Sequence, residues 1–581
     1  MTNMPIHNPD IAQALDDLAD FLELENANPF RVRAYRNAAR TIRGLGTEVS
    51  VKLARGDDLA ELPGIGKDLA GKIAALAKTG HLTLLDRVRR STPPVAQQLL
   101  RLPGLGPKKV KALCEGLAIQ SIEQLHRALL DGRVRELSGF GAASETKLLK
   151  ALKTQVVGPA RMKLAIADFY VQPLLAYLHK GPKVERVIAA GSYRRAMETV
   201  GDIDILATAP RGQPVIKYFT AYNEVAKIVA AGPTKGTVVL RSGLQVDLRV
   251  VPDRSYGAAL HYFTGSKAHN IAIRRLGQLR GLKINEYGVF RGRERIAGKA
   301  EEEVYRSVGL PYIAPELRED HGEIEAAAKG KLPKLVELAD LRGDLHAHTT
   351  LTDGHDSLQT MAKAARALGH QYLAITDHSH RLAMTHGLDE KGLIKAIDTI
   401  ERFNATHPGI AILKGIEVDI LEDGKLDLSD RVLSRLDLVI AAVHSKFDLS
   451  RSRQTERILR AMERRYFSIL AHPTGRLIVE RPPYDVDMSR VISAAKERGC
   501  FLELNAHPDR LDLNDVHSRM AGEAGVLISI ATDSHRAQEL GNLRFGIGQA
   551  RRGWLEKGDV LNTRTLGELR PLLARTMDRA A

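Results

Sequence analysis

The sequence predicts a multidomain chain with an α-helical N-terminal region of repeated hairpins, an α/β middle, and a C-terminal series of βα units. Three observations predict this. A Gly-centred hairpin recurs three times within the first 150 or so residues. From about residue 160 to 318 the texture turns to short β-branched strands mixed with helices, as in "VERVIAAGS", "DIDILATA" and "GTVVLRSGLQVDLRVV". From 341 onward short apolar runs alternate with helical stretches.

Bulk properties narrow the function classes. At 581 residues the chain exceeds one ordinary domain. It shows no apolar run of the roughly 18 residues a membrane span requires and no secretory start, so a cytoplasmic protein with no membrane partner is expected. Cys114 and Cys500 provide neither a disulfide framework nor a thiolate metal set. A net charge of +15 favours a polyanionic partner such as nucleic acid.

In order along the chain, "IAQALDDLADFLEL" and "RVRAYRNAARTIRGL" carry helical apolar spacing. The hairpins follow as "ELPGIGKDLAGKI" (61–73), "RLPGLGPKKVKAL" (101–113) and "ELSGFGAASETKLL" (136–149). Gly64 and Gly66, and likewise Gly104 and Gly106, permit a tight turn that opens a helix whose free N–H groups face outward. Lys67 and Lys72 stand beside the first turn, Lys108, Lys109 and Lys111 beside the second. One copy would read as an ordinary connection. The repeat with its lysines reads as a non-specific grip on phosphates, because backbone amides cannot distinguish bases. The third copy lacks the proline and basic residues beside its turn and reads as structural.

The middle region carries "GSYRRAMETVGDIDIL" (191–206). Asp202 and Asp204 lie two apart in a strand-like context, so their side chains share a face. In "GLQVDLRVV" the apolar residues alternate with Gln245, Asp247 and Arg249, placing Asp247 on a polar face. Three converging carboxylates would repel one another without cations, and hard oxygen ligands suit Mg2+ or Mn2+ in a two-metal phosphoryl transfer. Gly191, Ser192 and Arg195, just upstream, are placed to hold a triphosphate.

Thirteen of the 20 histidines lie between His346 and His535. "LRGDLHAH" ends in His346 and His348, "YLAITDH" in Asp377 and His378, and "AILKGIEVD" carries Glu417. "LDLVIAAVH" ends in His444, "FSILAHP" reaches His472, and "VLISIATDSH" reaches Asp533 and His535, with Asp353 in a loop behind the first pair. Each run is strand-like and bears a ligand-type residue at its C-terminal end, where barrel enzymes place their chemistry. Burying so many imidazoles and carboxylates together calls for cations, with Zn2+, Mn2+ and Fe2+ all open. Hydrolysis of a phosphoester is the reaction such a cluster serves.

Gly191-Ser192, Arg194-Arg195, Gly201-Asp202-Ile203-Asp204, Asp247, Tyr262-Phe263-Thr264-Gly265-Ser266, Asn270, Arg274 and Ile284-Asn285-Glu286-Tyr287 together resemble the nucleotidyltransferase signature of family X DNA polymerases. The resemblance implies an α/β nucleotidyltransferase palm in which Asp202 and Asp204 bind both metals, and Asp247 binds the catalytic one and accepts the primer 3′-hydroxyl proton or orients that hydroxyl. It implies that Ser192 and Arg195 hold the β/γ phosphates, while Gly191 and Gly201 belong to the nucleotide site. Tyr262, Phe263 and Gly265 would shape the sugar pocket, Asn270 would lie along the minor-groove edge of the incoming base, and Arg274 near the template. Ala196 departs from the glycine that often follows the two arginines. The N-terminal "NPFRVRAYRNAARTI" and "LPGIGKDLAGKIAALAKTGHL" resemble that family's lyase domain, with Lys72 at the Schiff-base position and Tyr35 supporting it. Such a lysine could attack an abasic sugar aldehyde if its pKa were depressed. The hairpins resemble helix-hairpin-helix motifs, which would bind DNA through Gly64, Gly66, Lys67, Gly104, Gly106, Lys108 and Lys109, with a monovalent cation as a further ligand.

The C-terminal half resembles the polymerase and histidinol phosphatase (PHP) domain, a distorted (β/α)7 barrel. By that resemblance His346, His348, Asp353, His378, Glu417, His444, His472, Asp533 and His535 hold three divalent metals. His380 and His507 would line the groove, and Arg510 would contact a phosphate. The implied domains are a lyase-like helix-hairpin-helix domain at 1–90, second and third hairpins at 91–158, palm and thumb at 159–318, a linker at 319–340 and the PHP domain at 341–575. The implied function is gap-filling DNA synthesis from dNTPs on gapped or primer-template DNA. A 3′-5′ exonuclease and abasic-site incision would belong to the barrel, the chain would act as a monomer, and base-excision repair is the implied process. Two other readings are a nucleotidyltransferase on a non-DNA acceptor fused to a small-molecule phosphatase, and a non-catalytic scaffold on DNA ends. The hairpins and "YFTGS" oppose the former and the intact ligand sets the latter.

Overall fold

Repeated hairpins and alternating βα runs both leave their marks in the computed structural model, which describes residues 8–43, 45, 49–62, 64–100, 105–137, 139–141, 145, 148–149, 161–381 and 385–577. The chain divides into two units, Met1–Arg161 with Asp320–Gly322, and Met162–Glu319 with Glu323–Ala581.

The first unit is helical. Helix α1 (Asn8–Leu24) buries Ile11, Leu15, Leu18 and Leu22, the three-and-four spacing of one apolar stripe, against Tyr35, Ala38 and Ile42 of α2 (Pro29–Arg43). The hairpins open helices α3 (Lys67–Thr79) and α4 (Pro107–Gly116). Their N-cap glycines, Gly66 and Gly106, share the same backbone angles, φ −86° and ψ 171°. In the first copy Ile65 N–H donates to Leu62 O at 3.1 Å, and in the third Phe140 N–H donates to Leu137 O at 3.0 Å. Gly64 and Gly139 hold φ +73° and +84° at matching positions, a region L side chains rarely adopt.

The second unit begins with α5 (Leu164–His179) and a five-stranded sheet. Its strands are β1 (Arg186–Ala189), β2 (Asp202–Thr208), β3 (Val225–Ala231), β4 (Lys235–Leu240) and β5 (Gln245–Val251), in the order β1-β2-β5-β4-β3. Only the β2–β5 pair is parallel. In β5, Val246, Leu248 and Val250 are buried while Gln245, Asp247 and Arg249 face the other way, as the period-two pattern requires. Short helix α6 (Gly191–Arg194) lies between β1 and β2. Beyond the sheet follow α7 (Tyr256–Thr264), α8 (Lys267–Leu279), an antiparallel sheet of β6 (Leu282–Asn285), β7 (Gly288–Arg291) and β8 (Glu294–Ala297), and α9 (Glu301–Ser307).

The segment expected as a linker is packed rather than free. Val336 is buried and its N–H donates to Leu555 O at 3.0 Å, because apolar residues in "LPKLVELAD" find a groove on the following domain.

That domain is all-parallel. One sheet holds β9 (Gly343–Asp344), β10 (Tyr372–Ile375) and β11 (Ala411–Lys414). The other holds β12 (Glu417–Asp419), β13 (Ile440–Ala442), β14 (Ile469–Leu470), β15 (Phe501–Asn505) and β16 (Ile528–Ala531). β11 and β12 are one strand interrupted at Gly415–Ile416, and the bridge His378↔Glu417 spans the break. A parallel bridge Ala347↔Ser534 joins the first and last strands, so seven strands close on themselves. Helices α10 (Asp515–Ala524) and α11 (Leu543–Arg552) pack outside. Among the described residues no helix is long and apolar enough to cross a membrane.

Candidate functional site

Strand register assembles the first site. Asp204 pairs directly opposite Asp247 in the parallel β2–β5 ladder, and Asp202 lies two residues earlier on the same face. Burial, and then the charges of Asp202 and Asp247, push Asp204 up to about 7. The Asp247 Oδ1 atom is buried with no hydrogen-bond partner, and Lys235 Nζ, 3.6 Å from Oδ2, is only a partial counter-charge. A clustered, oxygen-only, underpaired donor set fits a hard divalent cation. Gly191 sits at φ +59°, and a Cβ there would come within 2.5 Å of Asp204 Oδ2. Glycine therefore lets the phosphate turn close over the carboxylate.

The two arginines of that turn have different employments. Arg194 makes a two-pronged pair with Glu301 (2.9 and 2.7 Å), itself held by Arg318, and bonds Thr264 Oγ1. It joins the turn to α7 and α9 and is not free for a phosphate. Arg195 donates through Nε to Glu319 Oε1 at 2.9 Å and through Nη1 to Thr264 O. Ser192 is half-buried beside it, and Gly201 precedes β2. Ala196 takes φ +51°, which explains why glycine is common at this place.

At the end of α7, Tyr262 packs edge-to-face on Phe263 and is 36% exposed, leaving ring surface for a ligand. Arg249 lies 5.5 Å from the Phe263 ring. Gly265 takes φ +67°, with Arg195 Nη1 3.3 Å from the place of its missing Cβ. Asn270 donates Nδ2 to Tyr262 O at 2.7 Å, its Oδ1 being buried without a partner. Arg274 is exposed one turn further along α8.

The second site lies at the C-terminal ends of the barrel strands. Three groups there have ligand atoms within 4.8 Å of one another: His348, Asp353, His378 and His535; His346, His348 and Asp533; His378, Glu417 and His444. His472, the ninth expected residue, approaches Glu417 Oε1 at 3.0 Å through Nε2, and its Nδ1 has no partner. His346 Nε2, His348 Nδ1 and His444 Nδ1 are likewise buried and without hydrogen bonds, a donor set that fits divalent cations. At His378 burial works against the charge but is outweighed by Glu417 and Asp353, raising it to about 10. His472 and Asp533 take left-handed φ values of 28° and 54°, strain of the kind that persists at functional sites. His380 and His507 stand outside the three groups.

Supporting residues escaped the sequence reading. Glu503 Oε1 lies 2.7 Å from His346 Nδ1, aiming Nε2 into the cluster, and Asn505 bridges Glu503 and Asp533. The signal was present: both polar residues fall on one face of an otherwise apolar strand, "FLELN". Asp344 and Asp377 shape loops, accepting from Thr532 and His346 N–H and from Thr349 and Thr352.

In the first unit Lys108 is exposed at the start of α4, and Lys109 Nζ lies 5.5 Å from the Phe140 ring. Lys67 begins α3, and Gly104 falls outside the described residues. Lys72 does not meet the condition set for a lyase nucleophile. Burial would lower its pKa, but an ion pair with Asp68 and contact with Tyr35, 5.6 Å from ring centre to Nζ, leave it raised.

Comparison with known proteins agrees with this geometry. Residues 6–82 match a helix-hairpin-helix domain, 96–154 a SAM-like helix-hairpin-helix tandem, 259–319 the DNA polymerase beta thumb and 344–507 the PHP domain. The chain is 37% identical over 574 residues to the DNA polymerase/3′-5′ exonuclease PolX of Bacillus subtilis (strain 168), covering 98% of this chain and 100% of that one. A probable phosphatase of Thermoanaerobacter sp. (strain X514) is 31% identical over 38% of this chain and 89% of its own. DNA polymerase lambda of Rattus norvegicus is 24% identical over 55% of this chain and 57% of its own. With two metal-type sites on a palm and a PHP barrel in one polypeptide, and likeness along its whole length, the chain belongs to the family X DNA polymerases that carry a PHP domain.

Proposed function

We propose that the chain fills short gaps in DNA by template-directed nucleotide addition and trims 3′ ends with its barrel. The observation that carries the residue assignment is the Asp204↔Asp247 register with Asp202 on the same face. Divalent cations, Mg2+ or Mn2+ in the palm and Mn2+, Zn2+ or Fe2+ in the barrel, would neutralise phosphate oxygens and make the attacking oxygen more acidic. Asp202 and Asp204 would hold the palm ions, and Asp247 would orient the primer 3′-hydroxyl and accept its proton. That oxygen attacks the α-phosphorus, the bond to the β-phosphate oxygen breaks, and pyrophosphate leaves. Ser192 and Arg195 hold the triphosphate, with Gly191 and Gly201 forming the turn beneath it. Tyr262, Phe263 and Gly265 bound the sugar, Asn270 faces the base edge, and Arg274 the template. The hairpin amides around Gly64, Gly66 and Gly106, with Lys67, Lys108 and Lys109, grip backbone phosphates without reading sequence.

In the barrel, His346, His348, Asp353, His378, Glu417, His444, His472, Asp533 and His535 would hold the ions, and Arg510, 3.4 Å from Asp533, would contact the scissile phosphate. A lyase step at Lys72 requires that an abasic end first draw Asp68 away. Likeness to a probable phosphatase supports a second reading for the barrel alone, hydrolysis of small phosphomonoesters. The test is extension and degradation of a 5′-phosphorylated one-nucleotide gap, beside p-nitrophenyl phosphate turnover. Asp204→Ala should end extension only. Extension that survives it overturns the palm assignment, and turnover of the small ester without 3′ degradation favours the second reading.

A further inference from the structure

One helix of the barrel reaches the triphosphate turn of the palm. Arg552, near the end of α11, donates Nη1 to Arg195 O at 3.0 Å and to Glu319 Oε1 at 3.0 Å, and Nη2 to Asp515 Oδ2 at 2.7 Å. The same Glu319 oxygen accepts from Arg195 Nε at 2.9 Å. Asp515, Arg552, Glu319 and Arg195 thus form a chain of alternating charge running from the barrel's outer helices to the palm. Three residues before Arg552, on the same helical face, Gln549 donates Nε2 to Ala196 O at 2.9 Å. Gly548 makes the approach possible, because a Cβ there would stand 2.9 Å from the Ala196 Cβ.

Both the side chain and the carbonyl of Arg195 are therefore fixed by the same barrel helix, and so is the left-handed residue that follows it. A guanidinium on a flexible stem binds a triphosphate well only when its direction is set beforehand. Glu319 and the Thr264 carbonyl set that direction, and Arg552 holds Glu319. Glu319 lies below its ordinary value: burial would raise it, but Arg552 and Arg195 outweigh burial. The carboxylate is thus a fixed anchor through the neutral range.

We infer that Arg552 and Gln549, residues of the nuclease barrel, are positioning residues for the polymerase, aiming Arg195 at the incoming triphosphate. This rests on the reading of Arg195 as a triphosphate ligand. The contacts to Arg195 and Ala196 make the barrel part of the nucleotide site, so nucleotide affinity depends on the domain that removes nucleotides.

The experiment measures gap-filling kinetics of the full chain against dNTP concentration for wild type, Arg195→Ala, Arg552→Ala, Gln549→Ala and the Arg195→Ala/Arg552→Ala double variant. Arg552→Ala should raise KM for dNTP roughly tenfold while kcat moves about twofold or less, and Gln549→Ala should raise KM by a smaller factor. In the Arg195→Ala background, Arg552→Ala should add nothing, because its effect passes through Arg195. Degradation of 3′ ends should persist in both single barrel variants, reporting an intact barrel. If Arg552→Ala proves unstable, Gln549→Ala, which removes no charge, decides by the same readout. A KM unchanged in both, or an Arg552→Ala effect that simply adds to that of Arg195→Ala, overturns the inference. A KM unchanged in Arg195→Ala instead overturns the triphosphate reading itself.

Discussion

The palm and the barrel hold phosphate chemistry in opposite ways. The palm site is three carboxylates on two neighbouring strands, placed by backbone register, with Asp202 exposed and Asp204 and Asp247 half-buried. No imidazole lies among them, and their mutual repulsion, added to burial, pushes Asp204 up to about 7. The barrel site draws residues from seven strand ends and loops, and its acids and imidazoles answer one another: Glu417 meets His346, His348, His378, His444 and His472 within 2.9–3.6 Å. The first set of carboxylates is self-repelling and the second is charge-balanced, so we propose that cations come to the first with the substrate and stay in the second between turnovers.

The largest expected effects test whether the two sites are separate. Asp204→Ala should reduce gap extension by about a thousandfold or more and leave 3′ degradation intact, while His348→Ala should do the converse. Both are read on the same labelled gap substrate. Loss of both activities in either variant would mean that the sites work as one.

Next in size is the balance inside the barrel. Glu417→Gln leaves five imidazoles without their shared carboxylate, and a broken buried charge pair costs about 3–5 kcal/mol. Thermal unfolding should show the barrel transition falling, and elemental analysis of dialysed protein should show fewer ions per chain. Asp202→Asn, at the exposed palm position, should change neither. Equal metal loss from both variants would erase the distinction between resident and substrate-borne ions.

A smaller effect concerns a thumb acid, Glu301, that is balanced in the barrel's manner. Burial would raise Glu301, but Arg318 and Arg194 outweigh it and hold it at about 2, below its ordinary 4.5. A depressed carboxylate contributes its stability fully above about pH 4.5 and loses it as pH falls toward 2. Glu301→Gln should therefore cost on the order of 2–3 kcal/mol at neutral pH, and the gap to wild type should shrink steadily below pH 4.5. Denaturant midpoints across that range check it. A gap that is constant with pH would show that the charge contributes nothing.

Sequence legibility divides along the same line. The palm triad was readable because period-two alternation is local, and the β2–β5 register then needed only that the two strands be neighbours. The barrel candidates other than the loop residue Asp353 stand out because they fall at or near the ends of apolar runs. Glu503 and Asn505 share one face of "FLELN", but their partners His346 and Asp533 come from other strands and meet them only on closure, so their role was not local. Nothing local announces that Glu319 and Arg552 would share a contact with Arg195, or that Glu301 would take Arg194 from the phosphate site. Long-range charge pairing is written in no periodicity. The broken strand at Gly415–Ile416 likewise splits one apolar run into two ladders for tertiary reasons.

Lys72 is the case where a local signal was visible and its consequence was not weighed. Asp68 stands one helical turn earlier, so an ion pair could be read from the spacing. It does to Lys72 what Glu417 does to His378, favouring the charged form, and a charged amine is no nucleophile. Asp68→Asn should free part of that amine and raise borohydride trapping on a 5′ abasic end at fixed neutral pH. Lys72→Ala should lose the trapping altogether. If Asp68→Asn leaves trapping unchanged while Lys72→Ala abolishes it, the abasic end itself must displace Asp68, and the ion pair is a resting state of the lysine. If neither changes it, the nucleophile is another residue and Lys72 serves only as one more contact to a backbone phosphate.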